Sequence, residues 1–135
     1  MPTTTDRRDP RVPPRSPDIT VRAEAPGVYT VEAKLDHAVT ALGNNTVAEL
    51  LGVSRSQPSR WRSGKEGMSA ESRAAVTDLD YVLDRLLQLV HPKVAGIWLS
   101  SENAFLGGRP VDVLRRRGPR AVIDAIEALA QDAYA

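Results

Sequence analysis

From Thr30 onwards apolar residues return at helical intervals. Val31, Leu35, Ala38, Val39 and Leu42 recur three or four apart, and Gly43 closes the run. Val47, Ala48, Leu50 and Leu51 form a second, shorter face that stops at Gly52, a residue able to take the left-handed conformation in which helices often end. Thr46 and Glu49 at its head have the spacing of a capping box, in which each side chain satisfies a free backbone donor. A third short helix is expected from about Ser56 or Gln57, built around one large anchor, Trp61. Pro58 is harmless there because the first turn has no use for its missing N–H. Ser69 is placed to cap a longer helix, with Glu71 in its first turn. Its stripe of Leu79, Val82, Leu83, Leu86 and Val90 is widened by Leu87 and Leu89 and runs to His91-Pro92. Thereafter prolines open helices and glycine closes one. Pro92 starts a segment through Leu99, Pro110 one through Arg116 or Arg117 that ends at Gly118, and Pro119 a terminal helix burying Val122, Ile123, Ile126, Leu129 and Ala130. No segment alternates as a strand does. The pattern predicts an all-α fold.

Residues 1–29 interrupt this picture. They hold Pro2, Pro10, Pro13, Pro14, Pro17 and Pro26 with mixed charge and almost nothing apolar, so a disordered tail is expected. Its arginines (Arg7, Arg8, Arg11, Arg15) suit either a solvated leader or a flexible arm on phosphates. The whole chain of 135 residues suffices for one modest core or two very small ones. Its net charge is only +1, so any attraction to nucleic acid has to be local. Cysteine is absent, which excludes disulfides and thiolate metal sites, and two histidines cannot build a zinc site without carboxylate help; no metal or cofactor is expected. The apolar runs fall far short of the roughly 18 residues that span a bilayer, and no secretory h-region follows the N-terminus, so a cytoplasmic protein is expected.

Local charge is concentrated in residues 52–67, where Arg55, Arg60, Arg62 and Lys65 face only Glu66. An arginine-rich helix is often just a solvated face. Here a glycine turn, an anchoring Trp and a run of donors agree on a helix-turn-helix that reads the major groove. The donors are Ser54, Arg55, Ser56, Gln57, Ser59, Arg60, Arg62, Ser63 and Lys65. The segment LGVSRSQPSRWRSGK resembles the Xre-type helix-turn-helix of the phage-repressor class. The resemblance implies base contacts from Arg55, Ser56 and Arg60 and phosphate contacts from Ser54, Ser63 and Lys65. Pro58 departs from it, standing where an aliphatic residue is usual. One recognition helix offers few contacts, so a homodimer on operator DNA is expected.

The last third carries Ile97-Trp98-Leu99 at the end of a short helix, then Asn103-Ala104-Phe105-Leu106-Gly107-Gly108-Arg109-Pro110, then a closing hydrophobic helix. It resembles the toxin-binding domain of Xre/MbcA/ParS-type antitoxins. With the preceding module the resemblance covers residues 30–135, in the same order. It implies a type II antitoxin that sterically blocks a RES-domain, NAD-degrading toxin and represses its own operon. The expected division is a tail (1–29), a helix-turn-helix domain with its long connecting helix (30–90) and a toxin-binding domain (91–135). Candidate toxin contacts are Trp98, Phe105, Leu106, Arg109, Arg115, Arg116, Arg117, Arg120 and Tyr134. On residue type alone Trp98 and Phe105 suit the core better than an interface. Consecutive arginines 115–117 point different ways round a helix and form one patch only if its end frays.

An enzyme is not indicated. Ser63-Gly64-Lys65 lacks the strand and upstream glycine of a phosphate-binding loop, and His37 and His91 have no nucleophile in a recognisable arrangement. Asp78 and Asp80 fall on different helix faces. The competing reading is a stand-alone repressor whose C-terminal third dimerises or senses a ligand.

Overall fold

The computed structural model describes residues 29–133. The expectation of a disordered tail, apart from Tyr29, falls outside them, as does Tyr134. Seven α-helices follow in order: α1 (Val31–Leu42), α2 (Asn44–Leu51), α3 (Gln57–Ser63), α4 (Ala70–Leu86), α5 (Pro92–Ser100), α6 (Pro110–Arg117) and α7 (Pro119–Ala133). The all-α expectation holds. Among the described residues the only β-type pairing is an isolated bridge, Asn103 to Gly108.

Of the described residues, 31–133 form one compact unit, with a core that runs from α1 to α7. α1 packs on α2, α3, α4 and α5, and α4 continues the core to α6 and α7. Leu35, Val82, Leu83, Leu86, Leu99, Val113 and Val122 are fully buried at the centre. A division at residue 90 therefore cuts through shared packing: Leu86 and Leu99 lie in one cluster.

Glycine governs the first two turns. Gly43 (φ 90°) closes α1 through its N–H to the Val39 carbonyl (2.8 Å), and its own carbonyl accepts from Val47 (3.1 Å) to open α2. The chain thus passes from one helix to the next over a single residue whose conformation favours glycine. For this reason the expected Thr46–Glu49 capping box does not form. α2 starts two residues before Thr46, which is helical, and no side chain caps it. Thr46 instead faces α5, where a Cβ on Gly96 would lie 3.4 Å from its Cγ2. Gly52 ends α2 as expected, left-handed at φ 71°, with Val53 N–H reaching back to the Ala48 carbonyl (2.9 Å).

α3 begins where Pro58 requires, with Pro58 in its first turn and both Pro58 and Trp61 buried. Ser69 caps α4, its Oγ accepting from Ser72 N–H at 3.1 Å. α4 is shorter than the apolar stripe suggests. It stops at Leu86, and Leu87–Val90 fold into tight turns whose N–H groups return to Leu83, Arg85 and Leu86. Leu89 and Val90 still pack on the core, so the end of the stripe marks buried surface without being helix. His91 caps α5 through Nδ1, which accepts from Lys93 N–H (3.2 Å). His37 Nδ1 meets Asp80 Oδ1 at 2.8 Å and ties α1 to α4.

Candidate nucleic-acid and partner interfaces

Two helices joined by residues 52–56 carry the first candidate interface. Asn44 at the start of α2 donates from Nδ2 to the Arg55 carbonyl (2.8 Å), so the turn is held to the head of α2 as well as to its tail. Within this frame Ser54, Arg55, Ser56 and Ser59 are exposed, as are Arg62, Ser63 and Lys65. The segment presents its donors outward while Pro58 and Trp61 anchor it from beneath.

Those donors are not equally available. Arg60 is held by its neighbours in and beside α3: one guanidinium nitrogen donates to Ser56 Oγ (2.8 Å), another to Gln57 Oε1 (3.0 Å), and Nε to Glu66 (3.2 Å). Gln57 Nε2 is buried with no partner among the described residues. Arg62 reaches across to Asp36 on α1 at 2.6 Å. Ser63 Oγ donates to the Arg60 carbonyl (3.2 Å), and the Ser54 and Ser56 hydroxyls meet at 3.3 Å. Arg55 and Lys65 have no side-chain partner among the described residues. Sequence spacing could show Arg60 and Glu66 as neighbours, but Asp36 lies in another helix and only the fold brings it to Arg62.

The second candidate interface lies on α5 and the loop that follows it. α5 buries Ala95 and Leu99 and exposes Val94 and Ile97, which share the opposite side at i, i+3. Trp98 is half-buried against the core. Phe105 is 63% exposed, contrary to the core placement its residue type suggested. It sits in a turn organised by Asn103. The Asn103 carbonyl accepts from Leu106 (3.2 Å), Gly107 (2.8 Å) and Gly108 (3.3 Å), its Oδ1 accepts a further bond from Leu106 N–H (3.1 Å), and Asn103 N–H donates to the Gly108 carbonyl (3.0 Å). Gly107 supplies the left-handed residue at φ 72°. Leu106 folds back onto the core while Phe105 is left outside. Val94 and Ile97 were not among the sequence candidates. Their signal was available, since α5 is apolar on nearly every side and such a helix is buried all round or meets a partner. A groove of about 620 Å³ runs beside Ile97, between α5 and the α1–α2 corner, with Glu49, His91 and Lys93 on its walls.

Arg109 and Arg115 are engaged by bonds within the fold. Arg109 precedes α6 and donates two bonds to Asp112 (2.8 and 3.0 Å). Arg115 donates to Asp112 from one nitrogen (2.9 Å) and to the Leu50 carbonyl from another (2.8 Å). The Arg109 hydrogen bonds hold the Asp112 carboxyl below the usual carboxylate range, Arg115 adds to the effect, and desolvation opposes it less strongly. Beside Arg115 a cleft between α2, α4 and α6 contains Asp78, whose carboxyl is pushed up by burial. Arg116, Arg117 and Arg120 are exposed. α6 is helical through Arg117; Arg115 is turned to α2, while Arg116 and Arg117 remain exposed at its end. Among the described residues no cluster of three or more metal-ligating side chains occurs, and no helix is long and apolar enough to cross a membrane.

No family model matches the chain. It is similar to the mycobacterial cidal antitoxin MbcA of Mycobacterium bovis and of Mycobacterium tuberculosis, 25% identical over 111 residues, which is 80% of this chain and 98% of the relative. The fold matches a chain in the crystal structure of the M. tuberculosis MbcT–MbcA toxin–antitoxin complex, with a TM-score of 0.63 and 24% identity over 78% of this chain and 97% of that one. The likeness thus runs through the helical unit as a whole rather than one module of it.

Proposed function

We propose that this chain is the antitoxin of a type II toxin–antitoxin pair. The observation that carries this reading is the similarity to MbcA across almost that protein's entire length, in a chain of the same helical fold. On this reading residues 91–135 hold a RES-domain, NAD-degrading toxin inactive by covering its active-site cleft, with no chemistry performed by the antitoxin. Phe105, Val94 and Ile97 are the apolar anchors of that contact and Leu106 positions Phe105. A large exposed aromatic on a turn held by its own backbone bonds loses little freedom on binding, which favours it as an anchor.

The helix-turn-helix of α2 and α3 represses the operon from which both proteins are made. A dimer in the cytoplasm places two copies of α3 about one DNA turn apart. Arg55 reads a base, Ser56 and Gln57 assist, and Lys65 and Ser54 contact the backbone. Arg60 fixes the conformation of this surface through Ser56 and Gln57.

The test is co-expression with the neighbouring gene followed by purification through a tag on this chain. A stoichiometric partner that consumes NAD once freed supports the antitoxin reading. A homodimer that binds DNA and brings no partner overturns it in favour of a stand-alone repressor.

A further inference from the structure

The thirteen lysines and arginines from residue 31 onward fall into two groups. Arg60, Arg62, Arg73, Arg85, Arg109 and Arg115 each pair with a carboxylate. Of those without an acidic partner among the described residues, Arg116, Arg117 and Arg120 are exposed and follow one another in the chain where α6 gives way to α7, on either side of Gly118. Cations suit the last turn of α6, where carbonyls point outward. That does not explain Arg120, which lies in the first turn of α7, where the helix dipole disfavours positive charge.

The position of this corner is fixed by Arg115. Its hydrogen bond to the Leu50 carbonyl, and its approach to within 3.1 Å of where a Gly52 Cβ would lie, seat the end of α6 against the end of α2. Arg116 and Arg117 follow within ~3 Å of axial rise. The turn that begins at Gly52 carries Arg55, one of two exposed cations of the segment with no side-chain partner among the described residues. Arg55 and the arginines that follow Arg115 therefore lie close in the chain to one contact, that of Arg115 with the end of α2.

We infer that Arg116, Arg117 and Arg120 form a phosphate-binding extension of the helix-turn-helix, so that DNA is held by the C-terminal third as well as by α3. The inference rests on the DNA-binding reading above and reassigns these three arginines from the toxin contact to the DNA backbone. They contribute affinity without sequence preference.

The experiment measures binding of the full chain to the DNA upstream of its own gene, and to an unrelated fragment of equal length, across a salt series. R116Q/R117Q is expected to weaken both fragments to the same degree. The slope of log affinity against log salt falls by about 0.9 for each phosphate no longer neutralised, ~1.8 for the pair. R116K/R117K keeps the slope, and R120Q removes a further ~0.9. An unchanged slope in R116Q/R117Q, with the parent binding normally, overturns the inference and leaves the DNA reading standing. Loss of partner capture with unchanged DNA binding overturns it in favour of a protein contact. If the parent binds neither fragment, the DNA reading falls and this inference with it.

Discussion

The Arg115 guanidinium lies 2.8 Å from the Leu50 carbonyl oxygen, sixty-five residues away in sequence, and satisfies an acceptor that the end of α2 leaves free. Its second bond, to Asp112, fixes the guanidinium in that position. Replacing Arg115 by Ala removes both. Arg115 is partly exposed, so the cost is about 1 kcal/mol, equivalent to roughly 4–8 °C in Tm for a domain of this size. Arg115→Lys recovers part of it, since one amine cannot serve both acceptors. Thermal melts of the three proteins decide the matter; an unchanged Tm in the Ala variant means the bond contributes nothing.

Two carboxylates near this joint give opposite pH dependences. Asp112 is held below its ordinary value of 3.8, so its contribution is fully present above that pH and is lost as pH falls through the lower folded value. Asp78 is raised by burial, so its charged form opposes folding and stability falls as pH rises through its folded value. Asp112→Asn is expected to flatten the loss of stability in acid. Asp78→Asn is expected to raise the urea midpoint at neutral pH and to leave it unchanged in acid. The reverse ordering would mean that the two side chains have been given each other's environment.

Much of the fold was legible because local signals were strong. Gly43, Gly52 and Gly118 end helices, Pro58, Pro92, Pro110 and Pro119 lie in first turns, and Ser69 caps α4. Two readings failed where a local pattern competed with packing. Thr46 has capping-box spacing, but Gly43 opens α2 earlier. Leu87–Val90 continue the apolar stripe, but the backbone turns to bring α5 onto the core. Within the candidate sites, exposure was the hidden variable. Residue type suggested that Phe105 is core, and sequence alone did not show which arginines are held by carboxylates or carbonyls. Only the three-dimensional neighbours, Asn103 for the one and Asp36, Asp112 and Leu50 for the others, separate an anchor from filler and a strut from a free charge.

Phe105 offers a clean separation of folding from binding. Because the ring is exposed, Phe105→Ala should change stability by no more than about 0.5 kcal/mol, or roughly 2–4 °C in Tm. If it is an anchor for the partner, the same change weakens the complex by about 2 kcal/mol, close to thirtyfold in Kd. Asn103→Ala removes the Oδ1 bond to Leu106 N–H and should weaken binding less, by loosening the turn that presents the ring. Calorimetric titration with the purified partner measures both. A Phe105→Ala protein that binds as tightly as the parent would remove this loop from the interface.

If α3 binds DNA as proposed, the Asp36–Arg62 pair sets a limit on how it acts. Arg62 belongs to α3, yet its guanidinium is committed to a carboxylate on α1 at 2.6 Å. Exposed pairs of this kind contribute little to stability, about 0–1 kcal/mol, so Asp36→Asn should fold normally. The change also removes a negative charge from beside α3 and frees a cation there. DNA affinity should therefore rise, most at low salt, and the salt slope should steepen by about 0.9 if Arg62 then takes a phosphate. Asp36→Asn combined with Arg62→Gln should cancel that extra slope, because the freed cation is gone while the missing carboxylate is common to both proteins. A single variant that binds DNA no better than the parent would show that Arg62 stays away from the backbone even when released, and would leave Arg55 and Lys65 as the cations that α3 and its flanks bring to the groove.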